Sequence, residues 1–312
     1  MAKQSPLIWL VPLIALLALI TAGAGLFVQG GPGPFTFEAL HGQTVEMFGR
    51  GLYQNDSLFT GAAFRGTDVV TLLIGLPLLL FSYWRYRRGG QNGRIVMIGA
   101  LLYFLYNGAS MAFAAAFNPL FLAYTALFSA SLFAVIVALA TSDISALARR
   151  VQPGFPRRGM AIFMVVVGLA MLFIWLSELI VPLQTGEAPE LLGPYTTMFT
   201  HGFDLAVITP TAIMAGIFLW RQRPLGYLLA APLLILCTLI GLVVIGQTIS
   251  QALAGIFFPI GVYVGMVGSW IVMGAFAIGL TMAYFRHLAG CRRSQNGTQI
   301  NAENADFWAK SS

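Results

Sequence analysis

The apolar positions of this chain fall into eight long runs separated by short polar or breaker-rich stretches. The runs cover roughly 7–29, 66–84, 95–116, 119–140, 160–182, 202–220, 225–248 and 258–285. Each approaches the ~20 helical residues that cross a bilayer core of about 30 Å. The pattern predicts an all-α integral membrane protein with eight transmembrane helices. The first run follows Lys3 and reaches Ala22-Gly23-Ala24, features it shares with a signal peptide. It is longer than a signal segment needs and reads as a retained span; cleavage would leave seven.

The stretches between the runs set orientation. Arg85-Tyr86-Arg87-Arg88 with Arg94, Arg149-Arg150 with Arg157-Arg158, Arg221-Gln222-Arg223, and Arg286 with Arg292-Arg293 follow the second, fourth, sixth and eighth runs. With Lys3 and Lys310, one side holds 15 of the 17 Lys and Arg, leaving Arg50 and Arg65 opposite. The acids run the other way, with only Asp143, Glu303 and Asp306 on the basic side. By the positive-inside rule both termini are cytoplasmic, and the expected location is a prokaryotic cytoplasmic (inner) membrane.

The largest segment outside the runs, 30–65, opens on Gly30-Gly31-Pro32-Gly33-Pro34, a breaker cluster. Beyond it, Tyr, Phe, Met and Leu alternate with His41, Glu46, Arg50 and Asp56. That is too apolar for a flexible linker. The segment is expected to fold back on the outer ends of the helices, as an interfacial helix or a lid, and 35–65 is the candidate surface for a protein partner. A shorter acidic segment, 183–200, lies on the same side. The polar tail 291–312 is expected to be disordered.

A repeat organises the runs. Arg65-Gly66-Thr67-Asp68 recurs in the second half of the chain as His201-Gly202-Phe203-Asp204, and the same offset carries Trp84, Arg85 and Arg87 onto Trp220, Arg221 and Arg223. Pro119 and Ser129 recur at a nearly equal offset as Pro259 and Ser269. The chain divides into two parallel four-helix repeats, 1–143 and 160–290, joined by a basic cytoplasmic linker, 144–159. Duplicated membrane proteins commonly place their working site between the halves.

Composition narrows the chemistry. Hydrophobic residues make up 58% and charged residues 9%, against about 25% charged in soluble domains. The net charge of +6 sits in belts beside apolar runs, so no nucleic-acid partner is expected; the lipid bilayer is the partner implied. Cys237 lies in an apolar run and Cys291 in the tail, so they are not expected to pair. His41, His201 and His287 share no helix at ligand spacing, so neither a metal nor a haem site is expected. There is no Cys-x-x-Cys pair and no phosphate-cradling loop. No cofactor is expected.

Asp68 and Asp204 are the leading candidates for chemistry. Each precedes a tryptophan, Trp84 or Trp220, by the same interval. At 1.5 Å per residue that interval is about 24 Å of helix, which puts both acids just inside the outer boundary of the membrane. An acid at that depth is costly unless paired, hydrated or protonated. Two readings stand: a first-turn acid that caps its helix, with Arg65 and His201 as ion-pair partners, or part of a binding site. Glu178 is a third acid at the outer edge, facing either the same cavity or the headgroups. Tyr103, Asn107 and Ser110 form a stripe with Tyr106 alongside, and Asn118, Tyr124 and Ser131 follow on the next run. Such groups either bond between helices or line a small-molecule cavity. Gln247, Gln251, Tyr263 and Ser269 form a weaker set, so the site is expected to lean toward the first half.

Thr44-Val45-Glu46-Met47-Phe48-Gly49-Arg50-Gly51-Leu52-Tyr53-Gln54-Asn55-Asp56-Ser57, then Gly66-Thr67-Asp68-Val69-Val70-Thr71-Leu72, Tyr103-Phe104-Leu105-Tyr106-Asn107 and Asn118-Pro119-Leu120-Phe121, resemble a family of uncharacterised polytopic membrane proteins of bacteria and archaea. The resemblance spans most of the chain, is strongest in the first half, and implies topology but no activity. Three functions therefore stay open. They are a transporter for a small solute, a non-catalytic sensor or assembly subunit, and a membrane-embedded enzyme acting on a lipid or isoprenoid.

Overall fold

A computed structural model describes residues 5–288; Lys3, Cys291, Arg292, Arg293, Lys310 and the tail 291–312 lie outside the described residues. Within them, eight helices are long and apolar enough to cross a membrane: α1 (Leu7–Phe27), α2 (Leu58–Arg87), α3 (Gln91–Phe113), α4 (Phe121–Ala140), α5 (Arg157–Thr185), α6 (Phe199–Trp220), α7 (Pro224–Leu253) and α8 (Ile260–Arg286). The eight apolar runs and the eight helices correspond one to one.

Their starts differ from the apolar runs in a way that matters. α2 begins at Leu58, where Ser57 Oγ accepts the Thr60 backbone N–H at 3.1 Å, a side-chain N-cap. Asp68 is therefore well inside α2 rather than in its first turn, and Asp204 is in the second turn of α6. Neither acid caps its helix. Both helices widen into a single π turn just ahead of a proline: Thr71–Gly75 before Pro77, and Asp204–Ile208 before Pro210. Proline has no N–H to donate and crowds the carbonyl one turn back; α8 has a third π turn, Tyr263–Val267, with no proline after it.

About a third of the segment expected to form an interfacial helix or a lid is a hairpin. β1 (Phe35–Glu38) pairs antiparallel with β2 (Thr44–Met47), Phe35 facing Met47. Phe35-Thr36-Phe37-Glu38 alternates apolar and polar residues, the period of a strand. Gly42, at φ 75°, supplies the left-handed position in the turn. The chain then makes a tight turn at Gly51–Tyr53 and enters α2.

The first four helices form a closed set: α1 packs on α4, α4 on α3, α3 on α2 and α2 on α1. In the last four, α5 packs on α6, α6 on α7 and α7 on α8, but α8 has no packed interface with α5 or α6 among the described residues. That set is open on one side. α7 joins the two sets by packing on α2 and α3. Gly66 and Gly246 meet where α2 crosses α7: a Cβ on Gly66 would lie 2.3 Å from the Gly246 carbonyl oxygen. Small residues at such a crossing allow close backbone approach. Burial follows this plan, with 72% of the apolar window of α3 and 61% of that of α7 buried, against 17% for α8.

At the arginine-bearing end, side chains tie the connections to the bundle. Asp143 caps a short helix, Ile144–Arg149, by accepting the Ala146 N–H at 2.8 Å. Arg150 donates to Gln91 Oε1 at 2.7 Å and Asn92 Oδ1 at 2.8 Å, while Arg94 donates to the Ala138 carbonyl at 2.9 Å and to Thr141.

Candidate functional site

A cavity of about 300 Å³ occupies the open side of the second helix set. α5 contributes Trp175 and Glu178, α6 contributes His201 and Asp204, α7 contributes Gln247 and Gln251, and α8 contributes Met266 and Trp270. α3 closes the far wall with Tyr103, Tyr106 and Asn107. The connection between α5 and α6 covers the top, with Leu192 and Tyr195 facing the cavity.

Asp204 is at the floor and 1% exposed. Its Oδ2 accepts the Trp175 Nε1–H at 3.1 Å and the Tyr106 hydroxyl at 3.4 Å; its buried Oδ1 has no hydrogen-bond partner among the described residues. Above it, His201 Nε2 lies 2.8 Å from Glu178 Oε2, an ion pair when the imidazole is protonated, and the Trp175 ring packs on the imidazole with centroids 4.1 Å apart. A second, apolar cavity of about 50 Å³ begins below Asp204, lined by Val167 and Met171 of α5 and Leu233 and Cys237 of α7. Tyr106, Asp204, Ile240 and Trp270 border both cavities and form the partition between them.

The matching acid of the first set is sealed. Asp68 is 3% exposed and accepts the Tyr53 hydroxyl at 2.7 Å. Gly25 of α1 abuts it so closely that a Cβ there would sit 1.9 Å from Asp68 Oδ2. Tyr124 of α4 is buried in the same aromatic cluster as Tyr53. Asp68, Tyr53 and Tyr124 do not line the cavity.

Over the whole arrangement, Asp56 pins three connections together. It is fully buried ahead of α2. Its Oδ1 accepts the Ala116 N–H of the α3–α4 turn at 2.8 Å and the Tyr195 hydroxyl of the α5–α6 connection at 2.9 Å. Burial pushes its carboxyl up to about 7, partly offset by the bonds from Ala116 and Tyr195. Gln43 of the hairpin adds a bond to the Pro189 carbonyl at 3.3 Å.

Of the sequence candidates, Asp204, Glu178, His201, Tyr103, Tyr106 and Asn107 come together at the cavity. Asp68, Arg65, Asn118 and Tyr124 lie elsewhere. The expected local pairings do not form: Arg65 donates to the Leu26 carbonyl at 3.4 Å, and His201 pairs with Glu178 rather than Asp204. Asn118 shapes its own turn, accepting the Leu120 N–H at 3.0 Å. Tyr103 is bonded to Thr71, the two hydroxyls 2.6 Å apart. The polar cluster leans toward the second half, the reverse of the expectation, because α1 and α4 close the first set. Trp175, Trp270 and Tyr195 were not expected at the site. A lone aromatic inside an apolar run or in a connection carries no local sign of what it will face, and only tertiary packing brings the three to the cavity.

No protein-family model, curated protein sequence or solved structure matches the chain.

Proposed function

We propose that the protein is a multi-pass inner-membrane transporter for a small solute, with its binding site in the cavity above Asp204. The arginine belts support reading the Arg85–Arg94, Arg149–Arg158, Arg221–Arg223 and Arg286 end as cytoplasmic, with the hairpin and the α5–α6 connection on the outer side. The observation that carries the reading is the stack of two cavities divided by a buried carboxylate with one oxygen unpartnered. Four side chains separate an outer chamber from a deeper one, an arrangement that suits a binding site reached from one side and closed toward the other. The duplicated motif supports a common ancestry for the two helix sets, of which the second has its acid beside a cavity.

Native mass spectrometry of the purified protein, beside Asp204→Asn, tests this. A discrete bound small molecule, lost in the variant and carried across proteoliposomes by the wild type, is the expected result. A folded protein with no bound species, or a bound species indifferent to Asp204→Asn, would overturn it.

The partner-subunit reading keeps one specific observation. Phe35 and Phe37 are 41% and 45% exposed and fall on one face of β1, with Leu40 at the turn 85% exposed. In-cell cross-linking from Thr36 that captures no discrete protein would remove that reading.

A further inference from the structure

The charges around the two cavities are unbalanced. Glu178, His201 and Asp204 border them, and among the described residues no Lys or Arg does. His201 Nε2 is paired with Glu178 Oε2 at 2.8 Å. Asp204 has no cationic partner among the described salt bridges; its partners are the Trp175 indole and the Tyr106 hydroxyl, both on Oδ2. A buried carboxylate oxygen without a donor is costly, and buried charges are ordinarily paired. Asp204 Oδ1 is such an atom, and a ligand N–H placed against it would satisfy it.

The surroundings narrow that donor. Trp270 and Tyr106 border both cavities together with Asp204, and aromatic rings attract cations over their faces. The chamber beneath is lined by Val167, Met171, Leu233 and Cys237, which suits an apolar body rather than a second charge. A cavity of about 300 Å³ is at the lower end of small-molecule sites, about 300–1,000 Å³.

We propose that the ligand is a small organic monocation, a protonated amine with an apolar or aromatic body, whose ammonium donates to Asp204 Oδ1 beside Tyr106 and Trp270. The proposal rests on the reading of the cavity as a binding site and adds the chemical class of what it holds.

Three probes of one shape and different charge test it: 2-phenylethylammonium, 2-phenylethanol and phenylacetate, titrated at pH 7.5 into wild type in lipid nanodiscs and followed by tryptophan fluorescence. The ammonium should bind saturably and at least about tenfold more tightly than the alcohol or the carboxylate, the scale of one desolvated charge-assisted contact. Asp204→Asn should cost the ammonium about tenfold and leave the alcohol within about twofold. Asp204→Glu should recover part of the loss, and Asp68→Asn should change nothing. Equal affinities for the three probes, tighter binding of phenylacetate, or no saturable binding by any of them overturns the assignment on the wild type alone. Asp204-dependent ammonium binding without ammonium flux in proteoliposomes would count against transport and leave the cation site standing. Asp204-dependent flux of a neutral or anionic solute, with no ammonium binding, would do the reverse.

Discussion

Replacing Gly66 by alanine would put a methyl carbon 2.3 Å from the Gly246 carbonyl oxygen, 2.5 Å from the carbonyl carbon and 2.6 Å from Gln247 Cα. All three atoms belong to the backbone of α7, so no rotamer change relieves the clash. Ordinary contact begins near 3.4 Å, so α2 and α7 must part by about 1 Å. Overpacking of that kind costs about 1–3 kcal/mol. The Gln247 bond to Thr67 Oγ1, 2.9 Å long and spanning the same crossing, would lengthen with it. Gly202, the counterpart of Gly66 in the repeated motif, is the internal control, because nothing lies within 4 Å of a Cβ built there. Alanine at an unobstructed helical position gains about 0.5–1 kcal/mol over glycine. That gain applies at both positions and cancels, so the two substitutions should differ by about 1–3 kcal/mol, the overpacking cost alone. Thermal unfolding of both variants in one detergent should show Gly66→Ala lowered by several degrees and Gly202→Ala unchanged or raised. Equal midpoints, or a larger loss at Gly202, would refute the reasoning that the Gly66–Gly246 contact sets the spacing of the two helix sets.

Asp56 should make the outer cap pH-sensitive. Burial raises its carboxyl to about 7 from 3.8, so between those values the folded chain binds more protons than the unfolded one. The stability contributed by neutral Asp56 is full below about pH 4 and falls as pH rises through about 7. Hydrogen-exchange protection at 51–57 and 114–118, corrected for the intrinsic rate at each pH, should fall over that range in wild type but not in Asp56→Asn; identical protection profiles would refute it. Tyr53→Phe removes the 2.7 Å bond to buried Asp68 and should cost about 1–3 kcal/mol, whereas adding Asp68→Leu should recover much of the loss because no orphaned carboxyl remains. A double variant as unstable as the summed singles would show the two residues to be uncoupled.

The number of helices and the position of the repeated motif were legible because both depend on local pattern. Helix starts were not. Arg65 looked like a boundary, yet it sits inside α2, its guanidinium donating to the Leu26 carbonyl of α1. Glu178 and His201 are far apart in sequence and meet only because α5 and α6 pack face to face. Asp56 read as one more exposed loop acid, because nothing local signals that Ala116 and Tyr195 will converge on it. The hairpin was written in the alternation of Phe35 to Glu38, but its short strands do not outweigh the apolar texture of the longer segment.

The fate of the repeated aspartate turns on the fourth helix of each set. In the first set α4 packs on α1, and Gly25 lets α1 come against Asp68. The carboxyl is left with Tyr53 as its bonded partner and no cavity. In the second set α8 stays with α7 and does not reach α5, and the volume left between them is the cavity. Asp204 then bonds across that volume to Trp175 of α5 and Tyr106 of α3. Closing the second set as the first is closed would bring α8 against α5 and empty the cavity toward the partition. The same motif thus serves as a structural bond where its helix set is closed and as a candidate ligand group where it is open. Any movement that opens and closes the site is expected in α8, the least buried helix, with α7 held in place by α2 and α3.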